Sequence, residues 1–562
     1  MNPILPSYTS GISDKPLLGM TIGDMLDRTA GQFPDNDALI ALHQNIRWTY
    51  REFQAEVNRC ARAFLAIGAK RGDRVGIWSP NRYEWTVTQF ATAKIGAILV
   101  NINPAYGVHE LEYALNLAGI RILVTADAFK ASDYRGMLYE LAPELKNCRP
   151  GQLQSERLSQ LESIINLDTQ AHEGMYSWAD FLKHSDEFDQ SQVDEVQATL
   201  QFDDPINIQF TSGTTGAPKG ATLSHHNILN NGYFVGESMN FNERDRLVIP
   251  VPLYHCFGMV MANLGCVTHG STMIYPGEGF EPRSVLEAVH KEKATALYGV
   301  PTMFIAELSH ADFEQFDLSS LRTGIMAGSI CPSEVMKQVN GKMHIKDLQI
   351  AYGMTETSPV STQTRSTDPF EKQVTTVGRT QPHLENKIVD PATGAILPRG
   401  EIGELCTRGY SVMLKYWNNE EKTRETIDEA GWMHTGDLAE MDEDGYVQIV
   451  GRIKDMVIRG GENIYPKEIE EFLYTHPAVA EVQVTGIPDD KYGEELIAWV
   501  KLKPEAGAVS PEDLQAFCKG KIAHYKIPRN FKFVEDFPMT VTGKIQKFKM
   551  REISIEEMGL KK

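Results

Sequence analysis

Thr211-Ser212-Gly213-Thr214-Thr215-Gly216-Ala217-Pro218-Lys219-Gly220 is the stretch that decides what kind of chain this is. It follows Ile206-Asn207-Ile208-Gln209-Phe210, which reads as a strand, so the decamer stands where the backbone must turn. Its three glycines carry no Cβ and let backbone N–H groups close on an anion. Thr211, Ser212, Thr214 and Thr215 add hydroxyl donors, and Lys219 adds a mobile cation suited to phosphate. The Walker A pattern G-x-x-x-x-G-K-[ST] does not fit. Counted from Gly213, Pro218 takes the place of the second glycine, and Gly220 follows the lysine. A Gly/Thr surface turn is the plain alternative; a phosphate loop of another kind is the richer one.

Working outward, 562 residues exceed what one core supports, so three or more structural units are expected. The formal charge of −20 argues against a nucleic-acid partner, and any polyanionic ligand must be met by locally placed cations. The sequence holds no apolar run of about 18 residues, so no integral membrane segment is expected. The N-terminus has neither a secretory nor a mitochondrial presequence pattern. Seven scattered cysteines without a C-x-x-C pair disfavour zinc and disulfides, and suit a reducing cytoplasm. Cys256 beside His255 could be a thiol nucleophile, but a buried small apolar cysteine is the better reading.

The organisation reads as α/β. Arg74 to Trp78, Ala97 to Ile102 and Arg121 to Val124 are strand-like and alternate with helical Trp85 to Ile95 and Glu110 to Leu117. The alternation resumes with strand-like Arg246 to Val251, helical Ser284 to Lys291 and strand-like Ala296 to Val300. Such alternation predicts βαβ units around largely parallel sheets. Residues 127–196 are polar and weakly periodic, and read as a helical surface insertion. Past Gly378 the pattern turns to short glycine-rich strands, a β-rich subdomain. The best boundary lies at Gly451-Arg452-Ile453-Lys454-Asp455, which gives a large domain 1–451, a linker 452–455 and a small α+β domain 456–562.

Four further clusters carry chemistry. Tyr352-Gly353-Met354-Thr355-Glu356-Thr357 follows a strand and offers a carboxylate between two threonines, which suits Mg²⁺ or a simple helix cap. Asp437, in Gly431-Trp432-Met433-His434-Thr435-Gly436-Asp437, is a short carboxylate in a glycine-flanked turn and could accept two hydroxyl hydrogen bonds; an Asx turn is the alternative. Gly460-Gly461 reads as a hairpin turn. Lys544, in Thr542-Gly543-Lys544, is either a solvated charge or a placed one.

Taken in order from Thr211 to Lys544, these motifs resemble those of the adenylate-forming enzymes, which include acyl-CoA synthetases, luciferases and peptide-synthetase adenylation domains. The resemblance covers essentially the whole chain. It implies a large N-terminal domain of βαβ-type subdomains plus a β-rich subdomain, followed by a small mobile C-terminal domain. It implies that residues 211–216, Pro218, Lys219, Gly328, Tyr352 and Gly353 serve the nucleotide, with Tyr352 against adenine and Thr355 on the α-phosphate. Glu356 would bind Mg²⁺, Asp437 and Arg452 would take the ribose, and Lys544 would bridge the acid and the nucleotide. Lys454 would be the hinge, and Gly460 with Gly461 would line the pantetheine channel of CoA. Pro252-Leu253-Tyr254-His255-Cys256-Phe257 resembles an acyl-gating segment with His255 near the carboxylate; a packed core histidine is the other reading. Candidate pocket walls Tyr233, Phe234, Val235, His255, Gly299, Val300, Gly328, Ser329 and Ile330 are neutral, with no arginine or aspartate, which disfavours dicarboxylates and amino acids.

The stretch Ala351 to Val360 is most similar to that of medium-chain fatty acyl-CoA ligases. The implied reaction uses a fatty acid, ATP and CoA in the cytoplasm; peripheral membrane contact and a homodimer are both compatible with it. An aryl-CoA ligase, another adenylate-forming enzyme and a non-catalytic nucleotide-binding protein are the rival readings. The last should have lost Glu356 or Lys544, and both are present.

Overall fold

Tyr83–Ile95 shows how the sequence builds this architecture. Its first residue is half-buried, the other twelve are buried, and Gly96 (φ +68°) ends it in the left-handed region. A helix buried on all sides sits between layers, and its polar residues need internal partners. Lys94 within it is 1% exposed and is met by both carboxylate oxygens of Asp27, at 2.6 and 2.7 Å.

The computed structural model describes residues 5–211, 218–329, 331–460, 462–504, 506–539 and 545–560. They fall into two compact units: Ser10–Glu385 with Thr407–Met433, and Met1–Thr9 with Asn386–Cys406 and His434–Lys562.

Among the described residues the larger unit holds two large sheets and a two-stranded one, Ala128–Phe129 with Ser132–Asp133. The first runs in the order Tyr176–Ser177, Ser163–Asn166, Ile122–Thr125, Arg74–Trp78, Ile98–Asn101, Pro205–Thr211, Lys219–Ser224, Lys415–Tyr416. It is parallel as far as Pro205–Thr211 and antiparallel beyond. The second has nine strands, with Asp347–Gly353, Thr323–Ala327, Ala296–Gly299, Arg246–Val248 and Thr272–Tyr275 in parallel register. Arg246–Val248 stops three residues short of the strand expected there.

Residues 127–196 are not a helical surface insertion. Ser163–Asn166 is a fully buried parallel strand of the first sheet, and Trp178 and Phe181 join its core. The apolar run Ile164-Ile165 is too short to show a period, which is why the strand is silent in the sequence.

In the smaller unit, Met433–Met441 pairs antiparallel with Val447–Arg452. Its C-terminal part pairs Val479–Asp489 with Gly493–Leu502 over Pro466–Tyr474 and Pro511–Cys518. Ile469, Leu473, Val482, Val484 and Leu514 form that core.

Candidate active site

Thr211 ends the strand that feeds the decamer, and its register partner across the antiparallel hairpin is Lys219. The edge strand Lys415–Tyr416 sets Tyr416 opposite Ala221. Glu356 leaves the C-terminal end of Asp347–Gly353 in the 3₁₀ turn Thr355–Thr357. Three segments therefore converge on one carboxylate. Thr211 Oγ1 donates to Glu356 Oε1 over 3.2 Å, and the Tyr416 hydroxyl donates to the same oxygen over 2.8 Å. The Met413 N–H fixes the turn through the Glu356 carbonyl at 2.9 Å. Glycine is required at 353, because a Cβ would lie 1.7 Å from the Pro359 carbonyl oxygen.

Glu356 is 5% exposed. Among the described residues its Oε2 accepts no hydrogen bond and no cation lies within ion-pair distance. A buried carboxylate with one oxygen held and the other free suits a hard divalent cation. Lys219 Nζ lies 4.7 Å from the Tyr416 ring centroid. Burial and the neighbouring Lys422 ammonium lower the Lys219 pKa, while Glu356 pulls it the other way. Burial and Glu356 raise the Tyr416 phenol well above its usual range, so it remains a neutral donor. A cavity of about 340 Å³ opens beside this group, lined by Tyr113, Pro218, Lys219, Tyr416, Lys422 and Glu425 among others.

A second carboxylate is built in the smaller unit. Asp437 lies within the strand Met433–Met441, not in a turn as expected; Gly436 takes φ +71° inside that strand. Asp437 and Arg452 are direct partners across the ladder, and Arg452 Nε meets Asp437 Oδ1 at 3.1 Å. The Thr435 hydroxyl accepts from the Asp437 N–H at 3.1 Å and donates to the Leu405 carbonyl at 2.7 Å. Glu404, which sequence reasoning missed, accepts the Gly436 N–H at 3.0 Å and lies 2.8 Å from His434 Nδ1. Alternation in Gly403–Gly409 sets Glu404 and Cys406 on one face, and that was its only sequence signal.

Of the other candidates, Tyr352 and Gly353 end the strand just before Glu356, Thr355 is buried in the turn, and Gly328 (φ +91°) follows Thr323–Ala327. His255 is half-buried, and its Nδ1 accepts the Phe257 N–H at 3.3 Å. Lys454 lies in the single 3₁₀ turn Ile453–Asp455, and Gly460 (φ +61°) turns the hairpin between Val457–Arg459 and Glu462–Ile464. Among the proposed pocket walls, Phe234 and Val235 are core residues, and Tyr233 stacks on His269 at 5.4 Å beside Glu237. Ser212, Gly213, Thr214, Thr215, Gly216, Ile330, Gly461 and Lys544 lie outside the described residues.

With this geometry in place, comparison with known proteins is informative. Residues 26–417 match the AMP-binding enzyme family, and residues 468–544 match the AMP-binding enzyme C-terminal domain. The chain is 52% identical over 544 residues to a putative acyl-CoA synthetase, YngI, of Bacillus subtilis (strain 168), covering 97% of this chain and 99% of that one. It is 49% identical over 556 residues to the mitochondrial medium-chain acyl-CoA ligase ACSF2 of Danio rerio, covering 99% and 91%. Among solved structures, the anthranilate CoA ligase AuaEII in complex with anthranoyl-AMP superposes with a TM-score of 0.84 at 28% identity, covering 97% and 99%. ATP-bound MatB from Rhodopseudomonas palustris superposes with a TM-score of 0.81 at 28% identity, covering 96% and 100%. The chain belongs to the AMP-binding enzyme family.

Proposed function

We propose that this protein is an ATP-dependent acyl-CoA ligase. It activates a medium-chain fatty acid as an acyl-adenylate and passes the acyl group to CoA, releasing AMP and pyrophosphate. The observation that carries this reading is the convergence of Thr211 and Tyr416 on Glu356, with Lys219 against the Tyr416 ring. The acyl class is supported by the medium-chain relatives.

The first step brings two anions together: the acid's oxygen attacks the α-phosphorus of ATP. At about 4 Å two unit charges interact by roughly 1 kcal/mol in water and roughly 4 kcal/mol at an effective dielectric of 20. Water would soften that repulsion but also hydrolyse the adenylate, so the site must replace water with fixed donors. In this reading Lys219 and the decamer's amides hold the phosphates, Lys544 lies between acid and nucleotide, and Asp437 with Arg452 takes the ribose. Magnesium on Glu356 would neutralise phosphate charge. Thr211 and Tyr416 hold Oε1 and aim the carboxylate, leaving Oε2 for the cation.

In the second step the CoA thiol attacks the acyl carbonyl. Its pKa of about 8.5 already supplies a few per cent of thiolate at neutral pH, so no strong base is needed. Lys544 must vacate that side. We assign residues 456–562 as the mobile domain, 452–455 as its hinge about Lys454, and Gly460-Gly461 as the side-chain-free wall of the thiol channel. The seven cysteines form no disulfide, consistent with a reducing compartment, for which we propose the cytoplasm. No helix among the described residues is long and apolar enough to cross a membrane.

Pyrophosphate release in the presence of CoA, measured across acids from acetate to stearate with benzoate and coumarate, tests the reading. We expect a maximum at medium-chain acids. A higher rate on an aryl acid, or turnover that does not require CoA, overturns it. Lys544→Ala should abolish exchange of radiolabel from pyrophosphate into ATP; undiminished exchange refutes the role given to Lys544.

A further inference from the structure

Asn207, Gln209 and Thr211 share one face of the strand Pro205–Thr211, since side chains alternate along it. Thr211 ends on Glu356. The other two are amides, 1% and 2% exposed, in a place where a parallel strand ordinarily carries branched apolar residues. Buried amides are costly unless fully partnered, and these are.

Asn207 Nδ2 donates to the Leu99 carbonyl and to Asn101 Oδ1, both at 3.0 Å. Its Oδ1 accepts from Gln209 Nε2 at 2.9 Å. Asn101 Nδ2 donates to the Tyr254 carbonyl at 2.8 Å and to Met259 Sδ at 3.1 Å. Gln209 Nε2 reaches the same sulfur at 3.0 Å, and its Oε1 accepts the Cys256 thiol at 3.1 Å. Three amides from two adjacent strands thus grip Tyr254, Cys256 and Met259, the residues that bracket His255.

The gripped segment is itself unusual. Phe257–Leu264 is π-helical, eight residues long and buried throughout. Wide turns of this kind are rare and concentrate at functional sites. On its other side Gln89 Nε2 donates to the Met259 carbonyl at 3.0 Å. Gln89 Oε1 accepts from Asn263 Nδ2 at 2.9 Å. Gly258 leaves no slack, because a Cβ there would lie 2.4 Å from the Pro252 carbonyl oxygen.

We propose that Asn101, Asn207 and Gln209 are positioning residues that fix the His255–Met259 segment against the strand carrying Thr211, and so set acyl-chain preference. This rests on the acyl-CoA ligase reading, with His255 beside the acid. None of the three amides touches substrate. Their effect runs through Cys256 and Met259, so it falls on the acid and spares the nucleotide.

The test uses the full-length enzyme with Gln209→Met, Asn101→Leu, Met259→Leu and Cys256→Ala. Each is assayed for pyrophosphate release with CoA on hexanoate, octanoate, dodecanoate and palmitate, with ATP varied separately. Loss of one or two buried hydrogen bonds should raise the KM for the preferred acid by about tenfold and leave the KM for ATP within about twofold. The preferred chain length should shift, most clearly in Met259→Leu, which removes one acceptor from two amides. Cys256→Ser keeps a donor for Gln209 Oε1 and should restore the wild-type chain-length profile. Cys256→Ala and Met259→Leu change little volume, so they decide the matter even where Gln209→Met does not fold. An unchanged chain-length profile in these two, or acid and ATP constants that move in equal proportion, overturns the proposal. Inactivity of the unaltered protein on every acid would overturn the ligase reading and this proposal with it.

Discussion

Glu356 and Asp437 are both buried carboxylates at the ends of functional motifs, yet the protein treats them oppositely. Asp437 is given a guanidinium 3.1 Å away by its direct strand partner Arg452. Among the described residues Glu356 is given only hydroxyls, from Thr211 and Tyr416, on one of its two oxygens. A carboxylate matched by arginine across a strand ladder is a settled, oriented pair. A carboxylate met by hydroxyls on one oxygen presents its other oxygen to a hard cation. In the proposed function the first kind of carboxylate serves a sugar and the second a cation.

The contrast can be broken most severely at Glu356. Glu356→Gln keeps an oxygen for Thr211 and Tyr416 but removes the charge, and should lower kcat by about 10²–10³-fold. Magnesium titrations of pyrophosphate release should show a raised requirement; a normal titration would put the cation elsewhere. Asp437→Asn should instead act on binding. Losing charge-assisted hydrogen bonds of about 1.5–3 kcal/mol should raise the KM for ATP roughly 10–100-fold with little change in kcat. An effect on kcat alone would mean that the two carboxylates do not divide the work as described.

Tyr416→Phe sharpens the comparison by removing one of the two hydroxyls. A loss of about 1 kcal/mol, roughly fivefold in kcat/KM, is expected, with the magnesium requirement raised in the same sense as in Glu356→Gln. The smallest effect concerns pH. Burial and Lys422 hold the Lys219 pKa below that of an ordinary lysine. Lys219 therefore sheds its proton earlier as pH rises, and under the proposed function phosphate binding should weaken with it. Lys422→Ala removes one of those causes, so the Lys219 pKa rises and the alkaline limb of the rate profile should move to higher pH. A limb that stays put or moves down would show that another group controls it.

The parts of this site that the sequence announces are those whose chemistry is local. The Gly/Thr decamer, Glu356 between two threonines and Asp437 near Arg452 all sit in short, unusual strings, and the alternating strands and helices around them follow from apolar periodicity. Tyr416 was not legible, because it reaches Glu356 from a two-residue edge strand paired to Ala221, a long-range register with no local signature. Glu404 carries only the weak signal of strand alternation, and its partners Gly436 and His434 lie about thirty residues away. Asn101, Asn207 and Gln209 were hidden differently: polar residues in a strand weaken the apolar signal, and only the buried network explains them. Asp437 was placed in a turn because glycine suggests one, whereas Gly436 adopts its positive φ inside a continuous strand.

Thr211 and Lys219 face each other in register at the open end of a ladder that continues to Pro205 and Ser224. Residues 220–224 of the second strand are buried, so the packed face and not the intervening sequence fixes that register. A length change between positions 211 and 219 should therefore leave Lys219 opposite Thr211. One residue added or removed between Gly220 and Ser224 should instead turn Lys219 to the other face of its strand.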